Sequence, residues 1–272
     1  MTRLQGKKIC ITGGGQGLGR AFALAFGREG AAVGVVDVHA ENAKRVAAEV
    51  AASGGRACAV ATDLSRRDDA RKAIDHVADT LGGLDGLVNN AVWARYLPLA
   101  AMDEETLNRM LDCGIKTAFW STQAAFPWLV KAKGGSIINL SSVVGVSGVA
   151  YSSAYAILKA GLDGMTRAWA VEFGRHNIRV NSIAPSAIPS PMSTGVLSAE
   201  GWESRRRSTP LGRIGSDTDI TNAAVFLMAD ESSFITGDVL RVDGGFSIGT
   251  VIPGLDMPTR DAEEGLQAKA KS

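Results

Sequence analysis

The sequence has few of the residues that build disulfides or metal sites. Its 272 residues include three cysteines and three histidines, and none of them forms a C-x-x-C or H-E-x-x-H motif. Cys10, Cys58 and Cys113 are odd in number and each lies in an apolar segment. This pattern predicts buried, reduced thiols rather than disulfides, and no metal site.

The chain also lacks an excess of charge and a long hydrophobic run. Lys and Arg total 29 against 28 Asp and Glu, so the net charge of +1 creates no field that would attract nucleic acid or an anionic membrane. No segment reaches the roughly 18 apolar residues of a membrane span, and no apolar leader precedes the first strand. We therefore expect a cytoplasmic protein that acts on a small molecule, without nucleic-acid or membrane partners.

What the sequence does contain is a regular alternation of two hydrophobic patterns. Short β-branched or apolar runs alternate with amphipathic helical stretches, which is typical of βαβ units. The expected fold is therefore a single-domain, Rossmann-like α/β structure with a doubly wound parallel sheet and helices on both faces. Helices are predicted over about 20–29, 41–53, 66–81, 104–130, 153–173 and 219–228.

Two segments depart from this alternation. Residues 186–213 are rich in Ser and Pro and predict an irregular lid over a ligand. Residues 250–272 show no apolar periodicity and predict a mobile C-terminal tail. The catalytic domain is accordingly expected over 1–249, with the lid inside it.

A glycine-rich turn follows the first predicted strand. The segment TGGGQGLG, residues 12–19, opens the first helix, where glycines allow the backbone to approach a pyrophosphate. A simple βα turn is the alternative interpretation, but Asp37 at the end of the second strand favours dinucleotide binding. A carboxylate there accepts hydrogen bonds from a ribose 2′-hydroxyl and repels a 2′-phosphate, and neither Gln16 nor Val38 offers a compensating base. NAD is therefore preferred over NADP.

A tyrosine and a lysine are spaced for proton transfer. Tyr155 and Lys159 are at i and i+4 of one predicted helix, where the ammonium can lower the pKa of the phenol. Ser142 follows a predicted strand at the sheet edge where open parallel sheets bind ligands. We considered Ser142 as a hydrolytic nucleophile, but no G-x-S-x-G surrounds it and the next histidine lies beyond the Tyr155 helix.

These motifs together resemble the short-chain dehydrogenase/reductase family. The resemblance runs from about residue 6 to 249, through TGxxxGxG, TDL (62–64), NNA (89–91), YxxxK, VNSIAP (180–185), PLGR (210–213) and ITGDVLRVDGG (235–245). It implies that Tyr155 is the general acid/base, that Ser142 orients the substrate oxygen, and that Lys159 holds the nicotinamide ribose. It also implies a homo-oligomer, tetramer or dimer. The expected cofactor-binding residues are Gly13, Gln16, Gly17, Leu18, Gly19, Asp37, Val38, Asp63, Leu64, Asn90, Ala91, Tyr155, Lys159, Pro185, Ile188 and Ser190.

The sequence departs from the family pattern at three positions. Val92 and Ser186 replace the glycines of NNAG and APG, and Gly114 stands where relatives carry a catalytic asparagine. In relatives the backbone carbonyl of that asparagine, at a helix kink, binds a water that links the lysine to bulk solvent. Glycine keeps the carbonyl and tolerates a kink, so Gly114 is expected to preserve the relay. A weakened enzyme is the alternative.

The sequence identifies the substrate-binding residues less clearly than the cofactor-binding residues. Trp93, Val144, Tyr151, Met192 and Trp202 occupy segments that in relatives line the substrate cleft, which favours a bulky apolar or aromatic substrate. Ordinary packing explains the same residues. The run RRR at 205–207 could bind an acidic substrate, although most charge runs are solvated faces.

These observations predict an NAD-dependent enzyme that interconverts a secondary alcohol and a ketone. One rival is an NADPH-dependent reductase of 3-oxoacyl thioesters, against which Asp37 argues. The other rival is a non-catalytic NAD-binding sensor or scaffold, for which Gly114 is the only support.

Overall fold

A computed structural model describes residues 2–190, 193 and 197–249 of the chain. Seven strands form one parallel sheet in the order β3-β2-β1-β4-β5-β6-β7. The chain crosses over between β3 and β4, so β1 and β4 are neighbours and a crevice opens at their carboxyl ends. The expected Rossmann-like fold is confirmed. The strands are β1 (Lys8–Thr12), β2 (Ala32–Asp37), β3 (Arg56–Ala61), β4 (Gly86–Asn89), β5 (Gly135–Leu140), β6 (Ile178–Pro185) and β7 (Val239–Val242).

Eight α-helices surround the sheet in the described part of the chain. None of them is long and apolar enough to cross a membrane. The helices that were predicted from periodicity begin and end within a few residues of the expected bounds. The exception is the helix predicted over 104–130, which a π-helical segment interrupts. The helices are α1 (Gly17–Arg28), α2 (Ala40–Ala52), α3 (Arg67–Leu81), α4 (Glu104–Leu111), α5 (Thr117–Lys131), α6 (Ser153–Phe173), α7 (Ala199–Arg207) and α8 (Asp217–Met228).

The core lies in two layers, one on each face of the sheet. Helices α1, α2 and α8 cover one face around Phe22 and Phe26, and α3, α5 and α6 cover the other around Ile74 and Leu129. The strands between them are buried on both faces, which explains their nearly continuous apolar sequences. The three cysteines are free; Cys10 is buried, whereas the other two are only half-buried, contrary to the expectation that all three would be buried.

The predicted helix over 104–130 is not continuous. Helix α4 ends at Leu111, a π-helical segment covers Asp112–Lys116, and α5 follows from Thr117. Gly114 lies at the centre of that segment and is buried. The amphipathic period continues across the break, so periodicity could not reveal it; π-segments of this kind are frequent at functional sites.

The predicted irregular lid contains a helix that sequence analysis missed. Helix α7 begins after Ser198, whose hydroxyl accepts a hydrogen bond from the Gly201 amide. No residue of α7 is buried, so no apolar periodicity marked it in the sequence. Residues 191, 192 and 194–196 of the lid, and the tail over 250–272, lie outside the described residues.

Candidate active site

A large cavity of about 1240 Å³ opens at the carboxyl edge of the sheet. This volume exceeds the roughly 300–1,000 Å³ of sites for one drug-sized ligand, so the cavity has room for a dinucleotide and a second molecule. It brings together most of the residues predicted to form the site. They are Gly13, Gln16, Gly17, Leu18, Asp37, Val38, Asp63, Leu64, Asn90, Ala91, Ser142, Tyr155, Lys159, Pro185, Ile188 and Ser190.

The glycine-rich turn is shaped by close backbone approaches. Gly13 and Gly17 have positive φ angles of 63° and 51°, which favour glycine. A Cβ on Gly13 would come within 2.8 Å of the Ala91 Cα, and one on Gly19 would collide with the Gly13 carbonyl oxygen. Gly19 therefore supports the turn from outside the cavity lining. The Asn90 side chain closes the turn by donating to the carbonyl oxygen of Gly13 at 2.8 Å.

Asp37 ends β2 beside this turn, and backbone amides fix its carboxylate. Its Oδ2 accepts from the Gly15 amide and its Oδ1 from the His39 amide, each at 2.9 Å. Val38 next to it is 63% exposed and carries no charge. Two bases that were not considered from the sequence lie near this turn: His39 lines the cavity, and Arg45 is bound to the Gly15 carbonyl and to Glu49.

Tyr155 and Lys159 are presented by α6, which a buried polar network ties to the sheet. In this network Asn139 of β5 donates to the Thr166 hydroxyl at 2.7 Å, and Thr166 shares a hydrogen bond with Ser182 of β6. The Lys159 Nζ donates to the Leu140 carbonyl oxygen at the end of β5. Because these partners are buried, α6 is held at one position against the carboxyl edge.

The protonation of the two residues follows from their burial. Burial lowers the pKa of Lys159 to about 8, against an opposing effect of the Asp163 carboxylate. Burial also raises the pKa of Tyr155, and neighbouring Tyr96 adds to the rise, while the Ser142 hydroxyl opposes it. The expectation that Lys159 would lower the pKa of Tyr155 is therefore wrong for this structure: desolvation dominates, and the Nζ lies 5.4 Å from the ring centroid.

Ser142 follows β5 and begins a short 3₁₀ turn. Its Oγ accepts a hydrogen bond from the Val144 amide at 3.2 Å, so the hydroxyl proton remains available for another acceptor. The side chain is close enough to Tyr155 to influence its pKa. Two hydroxyls thus converge on one region of the cavity.

Aromatic residues surround the end of the cavity next to Tyr155. Trp93, Val144 and Tyr151 line it as predicted, and Tyr151 has a φ of 64°, which is rare for a bulky residue and typical of functional sites. Trp202 lies on α7 but does not line the cavity. Met192 lies outside the described residues.

Three further cavity residues were not predicted as site residues, although the run that contains Arg205 was considered as a possible contact for an acidic substrate. Tyr96 packs on Tyr155 with ring centroids 5.4 Å apart. Arg109 stands over the Trp93 ring at 4.1 Å, and Arg205 enters from α7. Tyr96 and Arg109 belong to no motif, and Arg205 was considered only as one member of a charge run.

Comparisons with known proteins agree with this geometry. A family model described as enoyl-(acyl carrier protein) reductase matches residues 13–247. The 3-oxoacyl-[acyl-carrier-protein] reductase FabG of Thermotoga maritima is 38% identical over 246 residues, covering 90% of this chain and all of the relative. The 2,5-dichloro-2,5-cyclohexadiene-1,4-diol dehydrogenase LinX of Sphingobium indicum is 37% identical over 250 residues, 91% of this chain and 98% of the relative.

Solved structures give the same result. A 7α-hydroxysteroid dehydrogenase complexed with NADH and 7-oxo glycochenodeoxycholic acid superposes with a TM-score of 0.87 at 34% identity, covering 90% of this chain and 95% of that one. A short-chain type dehydrogenase/reductase from Mycobacterium marinum gives 0.86 at 32% identity, covering 91% and 98%.

The fold and the site define an oxidoreductase of the nicotinamide-binding α/β class. Within that class, the chain belongs to the short-chain dehydrogenase/reductase family.

Proposed function

We propose that the protein is an NAD-dependent dehydrogenase that interconverts a secondary alcohol and a ketone. The observation that carries this proposal is that Asp37 and the pair Tyr155 and Lys159 line one continuous cavity. A carboxylate at one end discriminates between cofactors, and a phenol at the other end can exchange a proton with a hydroxyl.

The residues present fit a dinucleotide. The turn around Gly13 and Gly19 is a cradle that a Cβ would fill, and it opens α1, whose N-terminus favours a pyrophosphate. We assign the adenosine ribose to Asp37, the adenine to Asp63 and Leu64, and the nicotinamide end to the region of Asn90, Pro185, Ile188 and Ser190. NAD supplies the hydride acceptor when it is bound there.

The proton chemistry is assigned to this chain's own side chains. We infer that the Tyr155 phenol, kept protonated by its raised pKa, gives its proton to the carbonyl oxygen during reduction, and that the phenolate takes the hydroxyl proton of the alcohol during oxidation. Ser142 donates a hydrogen bond to the same substrate oxygen and orients it. Lys159, held by the Leu140 carbonyl, provides a nearby group that titrates close to neutral pH, which suits passage of the proton toward solvent.

The main rival is reduction of 3-oxoacyl thioesters with NADPH. The likeness to the Thermotoga maritima reductase supports it about as well as the other comparisons support an alcohol dehydrogenase. The Asp37 carboxylate argues against it, because it would repel a 2′-phosphate and Arg45 beside the turn is already paired with Glu49. The aromatic wall of Trp93, Tyr96 and Tyr151 favours a ring-bearing or bulky substrate.

A steady-state comparison separates these functions. The protein would be assayed with NAD and NADP against a panel of secondary alcohols, and with NADH and NADPH against matched ketones and a 3-oxoacyl thioester. We expect activity on alcohols and ketones with a preference for NAD. A preference for NADPH and the thioester would establish the rival, and NAD binding without turnover on any substrate would favour a sensor or scaffold.

We further propose a cytoplasmic homo-oligomer whose catalytic domain spans 1–249. Apolar side chains on α5 and α6 support the oligomer: Phe119, Ile157 and Val171 are 41%, 55% and 86% exposed. We expect a second copy of the chain to cover these side chains, as interfaces bury exposed apolar surface. Sedimentation at several protein concentrations tests it, and a tetramer is expected.

A further inference from the structure

The three arginines at the end of α7 have different surroundings. Arg206 forms a bidentate pair with Glu203, with nitrogen–oxygen distances of 2.6 and 2.8 Å, and Arg207 lies 3.7 Å from the same carboxylate. Both are exposed to solvent. Arg205 instead lines the cavity that contains Tyr155. The interpretation of this run as a solvated face therefore holds for two of its members and not for the third.

Arg205 is half-buried and has aromatic neighbours rather than an acidic partner. Its guanidinium carbon lies 4.8 Å from the centroid of the Phe246 ring, and the charge also acts on nearby Tyr96. Within the described ranges no carboxylate approaches Arg205 to ion-pair distance. Burial lowers the pKa of Arg205, although the group remains charged. A half-buried cation without a counter-ion is costly unless a ligand supplies one.

The Arg205 charge lies toward the end of the cavity that contains Tyr155. Tyr96 packs on Tyr155 with ring centroids 5.4 Å apart and also interacts electrostatically with Arg205. Tyr96 is thus a common neighbour of the guanidinium and of Tyr155. The carboxylates of Asp37 and Asp63, which line the same cavity, belong to its cofactor half.

We propose that Arg205 binds a carboxylate of the substrate, at a point separated from the reacting carbon by a bulky or ring-containing portion. The proposal rests on the function proposed above and adds a substrate class to it. A guanidinium presents two parallel N–H donors to the two oxygens of a carboxylate. The Tyr96 hydroxyl offers one further donor beside it.

Arg109 is the other arginine in the cavity, and its surroundings differ. Its guanidinium is stacked on the Trp93 ring at 4.1 Å, on the wall formed by α4. Stacking leaves the N–H edge of the guanidinium free, but a donor of that edge interacts with the Cys113 thiol, and α4 also brings the acidic Glu105 into the lining. We therefore assign the carboxylate to Arg205 and treat Arg109 as part of the aromatic wall.

The test measures binding, so that it does not depend on turnover. The probes are pairs of aryl, cycloalkyl and alkyl ketones, each as the carboxylate and as the methyl ester; 4-acetylbenzoate and its ester form one pair. Their dissociation constants would be determined by calorimetry for the protein saturated with NADH and, separately, with NADPH. The variants are Arg205→Gln, Arg205→Lys and the matched helix control Arg206→Gln.

In at least one pair the carboxylate should bind the wild type roughly 10–100-fold more tightly than the ester, as expected for a charge-assisted hydrogen-bonded pair. Arg205→Gln should remove that preference by weakening carboxylate binding alone, and Arg205→Lys should retain part of it. Arg206→Gln should behave as the wild type. Thermal unfolding of each variant confirms that the fold is intact.

Equal binding of acid and ester throughout the panel would overturn the proposal, as would a preference that survives Arg205→Gln. Inorganic phosphate that competes as strongly as the carboxylate would overturn the assignment to a carboxylate. A preference that depends on Arg205, without turnover of any ketone, would support the subsite and refute the proposed function. Failure of the carboxylate subsite and failure of the proposed function therefore give different results.

Discussion

The contact between Gly114 and Leu158 allows a quantitative test of how the π-helical segment supports the site. A Cβ added to Gly114 would lie 3.0 and 3.2 Å from the two Cδ atoms of Leu158, inside the 3.4 Å at which ordinary contact begins. Leu158 is wholly buried on α6, between Tyr155 and Lys159 in sequence, and cannot swing into solvent. Gly114→Val adds two further methyl groups at this contact and should destabilise the protein by about 1–3 kcal/mol through overpacking.

Leu158→Ala should cost about 2–5 kcal/mol through the cavity that it leaves. In the double variant, the valine at position 114 fills the cavity left by Leu158→Ala. Its loss in free energy of unfolding should therefore be smaller than the sum of the losses of the two single variants by about 1–2 kcal/mol. The assay is urea unfolding of all variants at one protein concentration. Gly164→Val is the matched control, because its added Cβ has nothing within 4 Å; its effect should add to that of Leu158→Ala.

Displacing Leu158 should also disturb the residues beside it in α6. We expect Gly114→Val to lower kcat more than NAD affinity, because α6 carries Tyr155 and Lys159 while the glycine-rich turn lies elsewhere. Strictly additive stabilities for Gly114→Val and Leu158→Ala would refute the packing argument. Gly114 would then be explained by the π-helical backbone alone.

Three further predictions concern the cofactor, the lysine and the polar network. Asp37→Asn combined with Val38→Arg should shift the ratio of kcat/KM values toward NADP, because it removes the repulsion and adds a guanidinium at an exposed position; an unchanged ratio would show that another residue contacts the ribose. Burial lowers the pKa of Lys159 from 10.5 to about 8, so the unfolded chain binds more protons between these values and stability should rise with pH there. The test is urea unfolding of the wild type and of Lys159→Met across this pH range. An equal rise in the stability of Lys159→Met would show that Lys159 is not its cause. Thr166→Val should cost about 1–3 kcal/mol in urea unfolding, because the Asn139 amide loses its buried acceptor; a loss below 0.5 kcal/mol would contradict the role of the network.

The elements that set the fold could be predicted because their signals are local. Buried strands such as β5 are continuous apolar runs, and α6 was predicted with its observed bounds because twenty-one residues keep one apolar period. Gly13 and Asp37 could be placed together because the carboxyl ends of neighbouring parallel strands meet at one edge.

The features that sequence reasoning missed depend on contacts between distant segments. A kink at Gly114 was expected from the family resemblance alone; the apolar period of 104–130 does not mark it, and the structure shows that it lies where Gly114 approaches Leu158 of α6. The cavity position of Arg205 depends on α7, a helix that buries no side chain. The pKa of Tyr155 was predicted in the wrong direction because spacing reveals a nearby charge but not the extent of desolvation.

The role of Tyr155 is the central claim, and one measurement tests it most directly. The rate of NADH formation from an accepted secondary alcohol would be compared for wild type and Tyr155→Phe, together with the dissociation constant of NAD. The account predicts that the rate falls by roughly 10²–10⁴, the usual contribution of a positioned general acid/base, while NAD affinity stays within a few-fold. Near-normal NADH formation by Tyr155→Phe would contradict it.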